Sequence, residues 1–179
     1  ALEIQLKSLG NEHHHVALSY NNLGNAYNDY KGEYDKALDY FEKALEIRLK
    51  SLGSEHPEVG NNYLNLGNAY SNKGEYDKAI EYYEKALEIQ LKSRGNMHPH
   101  VALSYYNLGL AYEGKGEHDK AIEYYEKALE IQLKSLGNEH HHVAVIYYCL
   151  GLAYDRKGET LWRTLSARAA DTPLFAAAY

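Results

Sequence analysis

Residues 16–53, VALSYNNLGNAYNDYKGEYDKALDYFEKALEIRLKSLG, contain two stretches of helical pattern that meet at Lys31-Gly32. In the first stretch Tyr20, Leu23 and Tyr27 recur at helical spacing, which predicts a first helix from about residue 16 to residue 29. The glycine after it can adopt the left-handed conformation that ends many helices.

A second helix is predicted from about residue 33 to residue 50. Glu33 and Asp35 lie in its first turn, where carboxylates interact favourably with the helix dipole. Pro57 and Pro99 then stand where later first helices begin, because a proline at the first helical position gives up no hydrogen bond.

Small residues indicate where these helices approach closely. We expect Gly24 to face Ala37 where the two helices of a pair cross, and Ala44 to face the next repeat. A single pair cannot bury both of its apolar faces, so neighbouring pairs must stack into a solenoid.

The pattern recurs along the chain. Leu-Gly pairs are spaced by 42 residues at 66–67, 108–109 and 150–151. A further pair at 23–24 lies 43 residues before the first of these, because residues 28–32 contain one additional residue. Residues 1–17 recur unchanged at 128–144, so the chain is expected to be a fragment of a longer, regular array.

This spacing resembles the tetratricopeptide repeat. The family signature is matched three times, by Tyr20, Leu23, Gly24, Tyr27, Ala37, Phe41 and Ala44; by Tyr63, Leu66, Gly67, Tyr70, Ala79, Tyr83 and Ala86; and by Tyr105, Leu108, Gly109, Tyr112, Ala121, Tyr125 and Ala128. A fourth copy begins with Tyr147, Leu150, Gly151 and Tyr154 and then departs from the signature. The period and the linker at 52–59 resemble the longer repeats of kinesin light chains and nephrocystin-like proteins. The resemblance implies an all-α, right-handed superhelical α-solenoid of antiparallel helix pairs, and a scaffold that binds short peptides or partner domains.

The repeat register predicts six segments. They are the second helix of a truncated repeat with its linker (1–13), three full repeats (14–56, 57–98 and 99–140), the first helix of a fourth repeat (141–158) and a divergent tail of capping or foreign origin (159–179).

The resemblance also implies that the first helices line a concave groove. In the first two repeats the groove positions hold amides, continued by one in the third: Asn21, Asn22, Asn25, Asn28, Asn61, Asn65, Asn68 and Asn107. An amide offers donors and an acceptor, which suits an extended peptide backbone. Asparagine is a poor helix former, so its abundance indicates a functional surface. The alternative is that these are exposed side chains left by repeat duplication.

Apolar side chains replace the amides in the last two repeats, at Tyr106, Leu110, Tyr148 and Leu152. They predict an apolar half of the groove, suited to a hydrophobic anchor residue. The alternative is that they contact the tail or a neighbouring helix. Family members that bind acidic C-terminal peptides carry Lys or Arg at positions where this chain has neither, so no carboxylate clamp is expected.

Composition excludes several classes of function. The net charge of −6 argues against nucleic acid and anionic membranes as partners. No run of about 18 apolar residues occurs, so no membrane span is predicted. A single cysteine, Cys149, excludes an intrachain disulfide and fits a cytoplasmic location. No catalytic or phosphate-binding motif occurs, so neither an enzyme nor a cofactor is expected.

Histidine clusters at 13–15, 98–100 and 140–142 raise metal binding as an alternative. Three observations weaken it. Four of the ten histidines occupy the linker position of the family, consecutive histidines are expected to point apart, and no Cys or carboxylate pattern completes a site. We therefore assign no metal site and expect an effect of pH near the histidine pKa of about 6.5.

The two ends suggest a further alternative. The chain begins with an unpaired second helix at 1–9 and reaches an unpaired first helix at 141–156. Head-to-tail stacking would complete a repeat across the junction, so the sequence predicts possible self-association into a structural assembly.

Overall fold

A computed structural model of the chain describes residues 14–137 and 140–158. These residues form seven α-helices, with one π-helical segment, and no strand, which confirms the all-α prediction. The helices are α1 (His14–Asn25), the π-helical segment Ala26–Lys31, α2 (Tyr34–Leu52), α3 (Pro57–Asn72), α4 (Tyr76–Arg94), α5 (Pro99–Gly114), α6 (His118–Leu136) and α7 (His141–Arg156). Among these helices, none has the length and apolar character needed to cross a membrane.

The chain divides into two compact units, unit 1 (Ala1–Ser93) and unit 2 (Arg94–Tyr179). In unit 1, α1 packs on α2 and α2 packs on α3. In unit 2, α5 packs on α6 and α6 packs on α7. Each unit therefore presents alternating first and second helices of the repeat.

Two apolar clusters lie between the described helices α1, α2 and α3 of unit 1. The cluster between α2 and α3 consists of Ala37, Leu38, Phe41, Leu66 and Ala69. The cluster between α1 and α2 consists of Val16, Ala17, Ala44 and Ile47. The expected roles of two alanines are thus exchanged, because Ala37 lies in the cluster that reaches the next repeat and Ala44 in the cluster within its own pair.

The signature glycines of the three full repeats face aromatic rings rather than alanines. A Cβ atom added to Gly24 would lie 2.5 Å from a ring carbon of Phe41, so the ring and not Ala37 occupies the space beside this glycine. The same 2.5 Å approach recurs between Gly109 and the Tyr125 ring in unit 2. A separation this short excludes any side chain larger than hydrogen unless the ring moves.

Tyrosine rings stack in pairs on neighbouring helices. The rings of Tyr70 and Tyr82 lie 5.4 Å apart with 6° between their planes, and Tyr112 and Tyr124 repeat this geometry at 5.4 Å and 5°. Lysine ammonium groups lie over several of these rings, at 5.0 Å from the Tyr82 centroid for Lys85. Stacked rings and cation–π contacts each stabilise such helix pairs modestly.

Histidine, and not only proline, defines where first helices begin. The predicted starts at Pro57 and Pro99 are confirmed. The residue before each helix caps it, because Nδ1 of His56, His98 and His140 accepts the backbone N–H two residues later, at 3.2, 3.1 and 3.3 Å. The imidazole therefore does what Ser or Asp does at most helix starts.

Candidate functional site

A cleft of about 580 Å³ lies in unit 2, bordered by α5, α6 and the start of α7. It is lined by Pro99, His100, Leu103, Tyr106, Gln132, His140, His141, His142, Val145 and Ile146. Of the predicted apolar groove residues, Tyr106 lines it, whereas Leu110, Tyr148 and Leu152 do not. Concave, mostly apolar sites with few polar groups are typical binding sites for peptides and small molecules.

Gln132 is the polar side chain that α6 contributes to this cleft, and the sequence prediction missed it. Only 6% of Gln132 is exposed. Its Oε1 atom is buried and has no hydrogen-bond partner among the residues that the structure describes. Buried acceptors without a partner are rare in folded proteins.

The equivalent position in α2 is Arg48, which has partners on α3. Its side chain is 8% exposed, and its Nε atom lies 3.2 Å from a carboxylate oxygen of Glu58. Its guanidinium also donates to Oδ1 of Asn62, whose Nδ2 donates to the Phe41 carbonyl at 2.9 Å. Burial lowers the pKa of Arg48, and the Glu58 carboxylate opposes this shift. The interface between α2 and α3 therefore holds a connected polar network.

Behind the cleft, Tyr106 approaches the cysteine. The Tyr106 hydroxyl and the Cys149 sulfur lie 3.8 Å apart. Burial raises the pKa of both groups, so Cys149 is held as a thiol and is a poor nucleophile. A nearby carboxylate, Glu113, accepts from the Tyr125 hydroxyl at 2.7 Å and pairs with Arg156.

Two hydrogen bonds between asparagine side chains involve the predicted amides Asn21, Asn28 and Asn65 of unit 1. Asn65 donates to Asn21 at 2.8 Å, and Asn72 donates to Asn28 at 3.2 Å, so the bonds join the first helices of two repeats. Asn28 is buried rather than open to a groove.

The remaining predicted amides differ in exposure. Asn68 accepts from the Tyr83 hydroxyl at 2.8 Å. Asn22 is exposed, Asn25 and Asn61 are partly buried, and Asn107 of unit 2 is 9% exposed. Part of the hydrogen-bonding capacity of these amides is thus used within the fold.

The histidine cluster at the start of α7 corrects one expectation. Atoms of His140, His141 and His142 that could ligate a metal lie within 4.8 Å of one another, so the prediction that consecutive histidines point apart was wrong here. A different obstacle applies. Because Nδ1 of His140 accepts a backbone N–H, the proton of the neutral ring is on Nε2, and ligation by this ring would sacrifice the helix cap.

Two histidines that line the cleft have lowered pKa values. Burial, followed by Arg94 and His98, lowers the pKa of His100. Burial, followed by His141 and His140, lowers the pKa of His142. Both rings are thereby kept neutral near pH 7.

The predicted unpaired helix at 1–9 and the tail at 159–179 lie outside the described residues. Head-to-tail stacking therefore stays a prediction.

Comparisons with known proteins support the repeat fold. The family model of the tetratricopeptide repeat matches residues 1–50, 21–92 and 100–160. No curated protein matches the chain by sequence. A kinesin light chain-like protein of Podosopora anserina with nearly identical TPR-like repeats is similar over 96% of this chain and 83% of its own, with 30% identity and a TM-score of 0.79.

Two further solved structures are similar. BtubC (BKLC) from P. vanneervenii shares 25% identity over 92% of this chain, with a TM-score of 0.82, and this chain spans 65% of its length. MamA shares 27% identity over 100% of this chain and 88% of its own, with a TM-score of 0.70. On the match of the family model, this chain belongs to the tetratricopeptide repeat family.

Proposed function

We propose that this chain is a protein-interaction scaffold and that its unit 2 cleft binds an extended segment of a partner protein. The observation that carries the proposal is the cleft itself, because Leu103 and Tyr106 of α5 and Val145 of α7 line it together. These are first-helix positions at which the repeat family is expected to contact peptides. No chemical step is assigned to the site.

Exposed apolar side chains on the same two helices support a hydrophobic partner. Leu103 is 44% exposed, Leu110 38% and Tyr148 48%. Apolar groups that remain in water on neighbouring helices often mark an interaction surface. We expect an apolar side chain of the partner to enter the cleft and the flanking segment to contact Leu110, Tyr148 and Leu152.

The amides of unit 1 have a secondary part in this proposal. Within unit 1, Asn22, Asn25 and Asn61 would bond to the backbone of a partner segment at a surface of their own, while the amides Asn21 and Asn65 bond to each other between α1 and α3. An amide has four hydrogen-bonding sites, so a pair that shares one bond retains capacity for a ligand.

The test is selection of peptides from a displayed library against the whole chain, followed by affinity measurement on two matched variants. Leu103→Ser removes an exposed residue that lines the cleft, and Leu18→Ser removes its repeat equivalent in unit 1, which is 46% exposed. We expect Leu103→Ser to weaken binding by about tenfold or more, as for a central apolar anchor. Leu18→Ser should have little effect.

Equal affinity of the wild type and the folded Leu103→Ser variant would contradict binding in the cleft. The double variant Asn25→Ala and Asn61→Ala tests the amides separately. A weakening there, with Leu103→Ser silent, would move the binding site to unit 1.

A further inference from the structure

We propose that the cleft selects a partner side chain that is apolar along its length and ends in an uncharged hydrogen-bond donor, which Oε1 of Gln132 accepts. This inference rests on the proposed function, since it specifies what the same cleft receives. It makes Gln132 a specificity-determining residue.

The first argument is the unmet bonding capacity of Gln132. Its side chain is more than nine-tenths buried, lines the cleft and leaves Oε1 without a partner among the described residues. An acceptor removed from water without a hydrogen bond destabilises the unliganded protein. A ligand that supplies the donor recovers that bond, and a ligand of the same shape without the donor does not.

The second argument comes from the equivalent positions of unit 1. There the residue on the second helix, Arg48, is paired with Asn62 and Glu58 of the following first helix. At the corresponding positions of α7 the chain has Ile146 and His142. In unit 1 the Asn62 amide accepts from Arg48, whereas an isoleucine side chain can neither accept nor donate, so Ile146 gives Gln132 no hydrogen-bond partner where the cleft opens.

The third argument concerns the charge of the donor. The cleft contains Leu103, Val145 and Ile146, and none of its lining residues is Asp or Glu. An ammonium or guanidinium group would lose hydration there without gaining a carboxylate partner. A carboxylate would meet the lone pairs of Oε1. An uncharged hydroxyl, amide or ring N–H remains.

The test uses two small probes of similar shape, p-cresol and toluene, which differ by the hydroxyl group of p-cresol. Each is titrated into the whole chain, and binding is followed by NMR through the methyl groups of Leu103, Val145 and Ile146. The measured quantity is the ratio of the two affinities. It is compared between the wild type and Gln132→Met, which keeps a similar volume and removes the acceptor.

We expect the preference for p-cresol over toluene to fall by about tenfold or more in Gln132→Met, the discrimination typical of a lost hydrogen bond in a buried site. Gln90→Met, at the equivalent position of α4, should leave the ratio as in the wild type. Thermal unfolding followed by circular dichroism checks that both variants fold.

The outcomes separate this inference from the proposed function. If both probes bind and the ratio is unchanged in Gln132→Met, the cleft binds ligands but Gln132 does not select them, and the inference is overturned. If neither probe shifts the three methyl groups, the cleft does not bind apolar groups, and the proposed function fails with it.

Discussion

The α2–α3 interface of unit 1 and the α6–α7 interface of unit 2 are built from copies of one repeat, yet they differ in what fills them. In unit 1 a buried arginine bonds to Asn62 and Glu58. In unit 2 the corresponding residues are Gln132, Ile146 and His142, and all three line a cleft. These three differences are among those that separate a filled polar interface from one that borders a cleft.

This difference indicates which residues of a regular array can form a specific site. The residues common to all copies set the helices and their spacing, and so they cannot distinguish one repeat from another. A site specific to one position must come from the residues in which the copies differ. Three predictions, in decreasing order of expected effect, test whether differences between the copies matter.

Asn62→Ile places the unit 2 residue in unit 1. Asn62 is 0% exposed and bonds both to Arg48 and to the Phe41 carbonyl, so the variant leaves a buried guanidinium with one partner fewer. We expect the free energy of unfolding to fall by about 2–4 kcal/mol. Urea denaturation measures it.

The matched control is the double variant Arg48→Gln and Asn62→Ile. It removes the charge together with its partner, so it should be less destabilised than Asn62→Ile alone. A double variant at least as unstable as the sum of its two single variants would show that the network is not coupled.

Gly109→Ala compares a packed signature glycine with an unpacked one. The new methyl group would lie 2.5 Å from the Tyr125 ring, and the overpacking should destabilise the chain by about 1–3 kcal/mol. At Gly151 no described atom lies within 4 Å of such a methyl group, so alanine there should stabilise the helix by up to about 1 kcal/mol. Thermal unfolding of both variants gives the comparison.

A destabilised Gly151→Ala variant would indicate that another segment packs against this glycine. Both Gly109 and Gly151 would then be glycines at which close packing excludes a methyl group.

Acidification should affect unit 2 through its cleft histidines. The pKa values of His100 and His142 are lowered from 6.5, so below that pH the unfolded chain binds more protons than the folded chain and stability falls. The equivalent position in α3 holds Glu58, so the repeat accepts glutamate there. The double variant His100→Glu and His142→Glu removes both histidines with lowered pKa values. We therefore expect it to lose less stability between pH 7 and pH 5.5 than the wild type. The melting temperatures of both proteins at each pH measure this effect, which is the smallest of the three. If the wild type and the double variant lose equal stability, the two histidines are not the cause of the pH dependence.

The sequence predicted the helices well because period, proline and glycine are local signals. Pro57 and Pro99 begin helices as expected, and Gly32 ends the first helix with a positive φ of 63°. The polar residues at the interfaces were not predicted. Whether Arg48 or Gln132 finds a partner depends on the residue across the interface, which is distant in the chain. One observation in the sequence could have indicated the difference: the repeat position that holds Asn62 holds Ser104 in the next repeat and Ile146 in the one after it.

The additional residue of the first repeat illustrates how such an array accommodates change. In the later repeats a glutamate N–H bonds to the carbonyl five residues earlier, from Glu75 to Tyr70 and from Glu117 to Tyr112. In the first repeat the same bond joins Glu33 to Tyr27, six residues earlier, and the wider π-helical turn absorbs the difference. The insertion is therefore absorbed before α2 begins, and α2 keeps the same start and length within the repeat as α4 and α6. A repeat of this kind can gain a residue at this turn while the helix after it keeps its register.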